Sequence, residues 1–379
     1  MKLLQINASY KPAYIYGGPT MSVSKLSEQL VKAGCVVEVF TTTANGKDEL
    51  PVKQNEKVDV NSVGVTYFKR LTKDHSHFSP ALLRRQWNDV RKFDLVHVHA
   101  WWNLVSVFSC WIALIRGVPV LLSPRGTLSA YSFTNRNNFP KKIIHQLLGK
   151  HLLKRCYIHV TSPREKEGIE TIIHPRDIIN IPNFIEIPDD VSNAVPNQAG
   201  AIKLLFFSRI EEKKGLDILL NALATVTVPY HLTIAGGGDA GYIEKLKTIA
   251  EKNKISAHIS WIGFQGSNKF DLLQQHHLMV LPSYDENFGN VVIESLSMGT
   301  AVLISKQVGL AAYVAENNLG WVCELEKNDI SRFINLIQKE TGTLSAIRTY
   351  APGKIRDDFN EDNLTRKYIE MYNQIINNA

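Results

Sequence analysis

The sequence predicts an α/β protein made of two doubly wound, mainly parallel sheets, and three observations carry that expectation. The 379 residues are 44% hydrophobic, enough to fill two ordinary cores of roughly 150 to 200 residues each. Short apolar runs alternate with longer amphipathic stretches, the βαβ pattern of a parallel sheet. The polar, turn-rich segment 189–201 (DDVSNAVPNQAGA) interrupts this alternation in mid-chain, as a linker does. The expected division is therefore 1–188, linker 189–201, 202–355, and a C-terminal helical segment 356–379.

In the first half, Lys2–Ile6 reads as a buried strand and Tyr16–Thr20 as a glycine turn. Ser22–Ala33 reads as a helix stopped by Gly34, and Val36–Phe40 as the next strand. Gly17 and Gly18 occupy the first strand-to-helix loop, where doubly wound sheets take ligands. Their spacing is not GxGxxG, so a plain turn explains them equally well. Val58–Phe68 gives one or two strands and Leu82–Val90 a helical piece. Asp94–His99 (DLVHVH) is the clearest strand of this half and sets His97 and His99 on one face, with Trp101 and Trp102 at its carboxyl edge. Two histidines at strand spacing without clustered Cys or Asp are a weak metal signal, and satisfied structural histidines are the competing reading. His99, nearer the loop, is the better functional candidate.

Pro119–Ser123 is another strand, followed by the tight loop Pro124-Arg125-Gly126-Thr127. Arg125 at a strand's carboxyl end suits a phosphate or carboxylate, with a plain surface arginine as the alternative. Asn135–Arg155 carries Arg136, Lys141, Lys142, Lys150, Lys154 and Arg155 without one acid, interleaved with Ile and Leu. It reads as a solvated helix packed by its leucines, or as a surface for an anionic membrane or charged acceptor. Nucleic acid is disfavoured, because no reader motif accompanies the charge. Tyr157–Thr161, Pro163–Thr171 and Ile178–Ile187 complete this half as strand, helix and closing segment.

The second half restarts with a strand at Lys203–Phe207. Arg209 and Lys214 flank the loop after it, so both cations converge on the anion expected at a helix N-terminus. His231–Ala235 ends in Gly236-Gly237-Gly238, and Gly237 and Gly238 permit close backbone approach. Ile259–Phe264 places Phe264 at a strand end where it can border a base. Asp271–His276 is helical and Leu278–Leu281 a strand. Leu281–Ser305 (LPSYDENFGNVVIESLSMGTAVLIS) then reads as loop, helix, glycine stop and strand. Glu286 precedes the helix, Glu294 lies about one turn inside it, and Gly289 sits between. With the N–H groups of Asn290, Val291 and Val292, these residues offer two hydroxyl acceptors beside an anion hole. A sugar joined to phosphate fits that chemistry; helix charge plus a cap is the plainer reading. Ala301–Ser305, Gly320–Cys323, Lys327–Glu340 and Asn363–Asn377 finish the pattern.

Charge is uneven. Met1–Glu186 has 25 Lys+Arg against 14 Asp+Glu, a net of +11, and the remainder has 18 against 22, a net of −4, which restores the overall +7. The basic half is where an acidic partner surface would sit. Cys35, Cys110, Cys156 and Cys323 lie far apart, so neither a disulfide frame nor a zinc site is expected, and a reducing cytoplasm fits. The start MKLLQINASYKP does not resemble a signal peptide, and Leu104–Ile115, the longest apolar stretch, is too short and too interrupted to span a membrane.

Taken in order, Gly17-Gly18, DLVHVH, Arg209…Lys214-Gly215, Ala235-Gly236-Gly237-Gly238, Pro282-Ser283 and Glu286-x7-Glu294 resemble a glycosyltransferase of family 4. The wording Glu286-Asn287-Phe288-Gly289-Asn290 resembles bacterial enzymes of extracellular and envelope polysaccharide synthesis, including cyanobacterial heterocyst-envelope glycosyltransferases. The resemblance implies a GT-B fold, two Rossmann-like domains facing across a cleft with an acceptor-side first domain and a C-terminal helix packing back towards it. It also implies retaining transfer from a nucleotide sugar, UDP-glucose as first choice, to a saccharide or lipid-linked saccharide, with no metal or other cofactor. Carried over, Arg209 and Lys214 hold the diphosphate, Glu286 takes donor-sugar hydroxyls, the Phe288–Val291 backbone binds sugar and distal phosphate, and Glu294 takes the ribose. Gly17 and Gly18 let the first loop close over the diphosphate, and His99 lies near the reacting sugar or acceptor. Many members have His-Gly where this chain has Arg125-Gly126, so a role of that histidine falls to Arg125 or to His99. A cytoplasmic enzyme, peripheral on the inner face of the plasma membrane, is the expected setting. A nucleotide-sugar epimerase, a dinucleotide oxidoreductase and a non-catalytic nucleotide-sugar binder are the rival classes.

Overall fold

The computed structural model describes residues 1–129, 149–188, 200–266 and 268–379. Most of the expected linker, 189–199, and the part of the basic stretch before residue 149 lie outside them. The chain divides into two compact units, Met1–Ile185 with Glu361–Ala379, and Glu186–Asn360.

The first unit is built on an eight-stranded sheet. Its strands are β1 (Lys2–Asn7), β2 (Val36–Thr42), β5 (Lys57–Val60), β6 (Val63–Phe68), β7 (Leu95–His99), β8 (Val120–Ser123), β9 (Tyr157–Val160) and β10 (Asp177–Asn180), with the short pair β3 (Ala44–Asn45) and β4 (Asp48–Glu49) beside it. The order is β10-β9-β8-β7-β1-β2-β6-β5, parallel except for β5 against β6. Those two form a hairpin because Asn61 and Ser62 both take positive φ, 54° and 67°. The LLQI run of β1 explains the layering: Leu4 and Ile6 enter one core with Val96 and Val98, while Leu3 enters the opposite core with Val39 and Leu95.

Helices α1 (Gly18–Lys32), α2 (Pro80–Asp89), α3 (Leu104–Ile115), α4 (Lys150–Arg155) and α5 (Pro163–Glu170) cover this sheet. Helix α1 begins four residues before the sequence expectation, since Gly17 at φ 66° forms its N-cap and Pro19 suits the first turn.

The second unit carries a six-stranded, wholly parallel sheet of β11 (Ile202–Phe207), β12 (Tyr230–Ala235), β13 (Ile259–Gly263), β14 (Leu278–Leu281), β15 (Ala301–Ser305) and β16 (Gly320–Cys323), in the order β13-β12-β11-β14-β15-β16. Order reverses beside β11, the switch point where doubly wound sheets open a ligand crevice. Its helices are α6 (Leu216–Leu223), α7 (Ala240–Lys252), α8 (Lys269–Gln274), α9 (Asn290–Ser297), α10 (Ala311–Glu316), α11 (Lys327–Ile337) and α12 (Thr341–Asp358). Pro352-Gly353 reads as a helix breaker in sequence, yet α12 runs through it. Arg348 fastens α12, donating from Nη1 to the Gln274 carbonyl at 3.1 Å and from Nη2 to the His276 carbonyl at 2.6 Å. The last helix, α13 (Glu361–Asn377), belongs to the first unit and buries Leu364, Tyr368, Met371, Tyr372 and Ile375 in the core that holds Leu3. Among the described residues no helix is long and apolar enough to cross a membrane.

Candidate active site

The carboxyl edge of the second sheet gathers most of the residues singled out in sequence. Gly215, at φ 70°, ends the turn after Lys214; a Cβ there would lie 1.9 Å from the Pro282 carbonyl oxygen. That close approach brings the loop after β11 against the loop after β14, and Tyr284 N–H donating to the Lys213 carbonyl at 2.8 Å closes the contact. Lys214 thereby meets Glu286 in an ion pair. Lys214 is only 7% exposed, so its charge needs such a partner. Burial pushes the Glu286 carboxyl up, but Lys214, Lys213 and Arg209 outweigh burial and hold it below the usual carboxylate range. Arg209 pairs with Glu211 at 2.7 Å, both half exposed. Such a surface pair is worth little and leaves Arg209 able to turn to a stronger anion.

Gly289 sits at φ 92° as the N-cap of α9 and brings no side chain to it; of the three N–H groups expected to face an anion, that of Val292 donates instead to the Gly289 carbonyl at 2.8 Å. Asn290 and Val291 begin the helix; Phe288 is buried and meets Phe359 edge-on at 6.3 Å between ring centroids. Asn287 lies in the loop before the cap. Glu294 accepts from Lys269 Nζ at 3.0 Å, a partner the sequence reading missed because nothing in the Lys269 environment forms a pattern. The triple glycine divides by role. A Cβ on Gly236 would meet the Ser208 carbonyl oxygen at 1.9 Å and one on Gly238 the Ile210 carbonyl oxygen at 2.2 Å, so these two serve loop-on-loop packing. Gly237 is the open member, with the Phe264 Cβ at 3.9 Å, and Phe264 is 74% exposed.

Gly17, Gly18, His99 and Arg125 lie in the first unit. Arg125 follows β8 at φ 51° and donates through Nε to His99 Nδ1 at 3.3 Å and through Nη1 to Asn183 Oδ1 at 2.6 Å. His99 is fully buried and its Nε2 meets Gln5 Oε1 at 2.9 Å. With both ring nitrogens engaged, His99 supports Arg125 from behind, whereas the sequence reading sets it beside a sugar. His97 is a packing residue in a buried relay. His159 Nε2 donates to the Ile181 carbonyl at 2.8 Å, so Ser123 Oγ donates to His159 Nδ1 and accepts from His97 Nε2, each at 2.7 Å. Tyr372 Oη then donates to His97 Nδ1 at 2.9 Å. Burial drives His97 and His99 well below the usual histidine value and His159 to about 3, so all three stay neutral.

Two Rossmann-like α/β units, one with cations and hydroxyl acceptors at its carboxyl edge, define the GT-B class of fold. The Glycosyltransferase Family 4 model matches residues 16–187, and the Glycosyl transferases group 1 model matches residues 189–353. An uncharacterized glycosyltransferase of Methanocaldococcus jannaschii is 24% identical over 98% of both chains. The D-inositol 3-phosphate glycosyltransferase of Rhodococcus erythropolis is 25% identical over 80% of this chain and 74% of its own. Among solved structures, sucrose-phosphate synthase of Thermosynechococcus elongatus superposes with a TM-score of 0.78 at 17% identity, covering 100% of both chains. Anabaena HepE in complex with UDP-glucose gives 0.74 at 18% identity, covering 99% of this chain and 100% of its own. The chain is a glycosyltransferase of the GT4 type with the GT-B fold.

Proposed function

We propose that the protein is a retaining glycosyltransferase that moves a hexosyl group from a nucleotide sugar, UDP-glucose as first choice, to a saccharide or lipid-linked saccharide in envelope or extracellular polysaccharide synthesis. The observation that carries this reading is the ion pair of Lys214 and Glu286, within the field of Lys213 and Arg209, in the loops that lead into α6 and α9. It supplies cations for a diphosphate and an ionised acceptor for sugar hydroxyls within one loop cluster. UDP-glucose is favoured because the HepE structure of the same fold holds it.

As the bond from C1 to the diphosphate oxygen breaks, positive charge builds on the sugar ring and negative charge on the departing phosphate. Arg209 and Lys214 stabilise the latter, which lets the group leave without a resident metal in this scheme. The acceptor oxygen bonds to C1 from the same face and its proton passes to the departing phosphate oxygen. Glu286 then holds a ring hydroxyl, and Glu294 exchanges its Lys269 contact for ribose hydroxyls.

The enzyme works in the cytoplasm in this reading, with the basic first half touching the inner membrane face peripherally. Thermal shift against a panel of nucleotide sugars tests the donor, since a ligand of the native state raises its stability. A UDP-sugar giving the largest rise, and a product with the donor's anomeric configuration by NMR, are expected. Conversion of the sugar to an epimer without transfer would place the protein in the rival epimerase class.

A further inference from the structure

The first sheet's carboxyl edge holds a cation that the donor reading leaves unused. Arg125 is part-buried and its two hydrogen bonds end on neutral groups. Gln5 Oε1 can only accept, so His99 carries its proton on Nε2 and offers Arg125 a lone pair at Nδ1. Asn183 offers an amide oxygen. No described carboxylate forms an ion pair with Arg125. Glu165, the carboxylate among the described residues whose charge reaches it, turns its oxygens to the N–H groups of Gly126 at 2.9 Å and Thr161 at 2.8 Å. Residues 130–148, which follow this loop, contain no Asp or Glu at all.

A guanidinium removed from much of its water and given only neutral partners retains its whole charge, with donors at Nη2 uncommitted among the described residues. The site is also built. Arg125 and Ala100, at the ends of neighbouring strands, both hold left-handed backbone, φ 51° and 63°, and the Ala100 N–H donates to the Ser123 carbonyl at 2.8 Å. Burial keeps the flanking histidines neutral, so they add no competing charge.

We propose that Arg125 receives a carboxylate or phosphate oxygen carried by a substrate: either the transferred sugar is a uronic acid or the acceptor bears a carboxylate or phosphate. This rests on the glycosyl-transfer reading and narrows its substrate class. The two sources share one chemistry, a planar or tetrahedral oxyanion matched to the guanidinium fork.

The test is a set of paired titrations on the full chain. UDP-glucuronate against UDP-glucose probes the donor, and methyl glucuronide and glucose 6-phosphate against methyl glucoside probe the acceptor. In at least one pair the charged member should bind wild type about tenfold more tightly or better, the size of a charge-assisted hydrogen bond. R125Q should erase that preference and R125K should keep part of it, with thermal melts confirming that each variant is folded. Which pair responds identifies the source. No preference in any pair for the wild type, or a preference that survives R125Q, overturns the proposal. UDP alone, titrated into the wild type, reports separately on the donor reading: binding of UDP with no charged preference defeats only the Arg125 assignment.

Discussion

At the scale of single residues, Glu286 carries the sharpest expectation. Its carboxylate is held ionised by Lys214 and by the charges of Lys213 and Arg209. Glu286→Gln keeps the size and one acceptor but leaves Lys214 without a counter-charge. Turnover should fall by about 10²-fold, the scale of a lost transition-state contact, with a smaller change in donor KM. Steady-state kinetics measures this, and mass spectrometry of wild type under turnover should show no glycosyl adduct on Glu286. An adduct would replace the same-face path with a double displacement. Gly215→Ala tests a different demand, since the new Cβ meets the Pro282 carbonyl oxygen at 1.9 Å and φ is 70°. A loss on the order of 2 kcal/mol is expected in urea unfolding of the second unit, because the loop must shift as well as strain. The places of Arg209, Lys214 and Glu286 in strand-to-helix loops, and of Glu294 inside the helix that follows, were legible in sequence because strand ends and the glycine stop mark them. The burial of His99 was not, since its partner Gln5 lies 94 positions away and no local pattern links them.

At the scale of elements, the apolar strands of both sheets were legible, the short pair β3 and β4 was not, and boundaries failed where backbone detail decided. Helix α12, left unassigned in sequence, runs through Pro352-Gly353, and α1 began early because Gly17, at φ 66°, supplied its N-cap. The apolar stripe of α13 could be read as a helix face, but the use of its tyrosines could not. Tyr372 donates to His97 across 275 positions, and Tyr368 lies 3.1 Å from His159 Nε2. The helix thus closes the histidine relay beneath the first sheet's carboxyl edge. Tyr372→Phe retains the ring packing and removes one buried donor, leaving His97 Nδ1 unsatisfied. The expected loss is ~1–3 kcal/mol in the first unit's unfolding, the penalty for an unpaired buried acceptor. A loss below that range would mean that water or a neighbouring group takes over the contact.

At the scale of the whole molecule, the two units have separate cores, so acid and nucleotide should act on different unfolding transitions. Four buried histidines of the first unit, His77, His97, His99 and His159, have values lowered chiefly by burial, as has His276 in the second. The sign follows from linkage. Unfolding restores each to its usual value near 6.5, so below that pH the unfolded chain takes protons that the folded chain refuses, and stability falls as pH drops towards about 3 to 4. At pH 5.5 each such group costs at most ~1.4 kcal/mol, and four of them make the first unit acid-sensitive. Glu286 adds nothing between pH 7.5 and 5.5, because its carboxylate is ionised there in both the folded and the unfolded chain; its stabilisation is lost only as pH falls further. UDP, by contrast, should stabilise the second unit alone if Arg209, Lys214 and Glu294 form its site, by about 2.7 kcal/mol at a hundredfold excess over Kd. Calorimetry at pH 7.5 and 5.5, with and without UDP, should therefore show two transitions that move independently: acid lowers the first unit's, and UDP raises the second's. If UDP raised both equally, the nucleotide would be held by groups from both units, and the donor site assigned to the second unit would be only part of it.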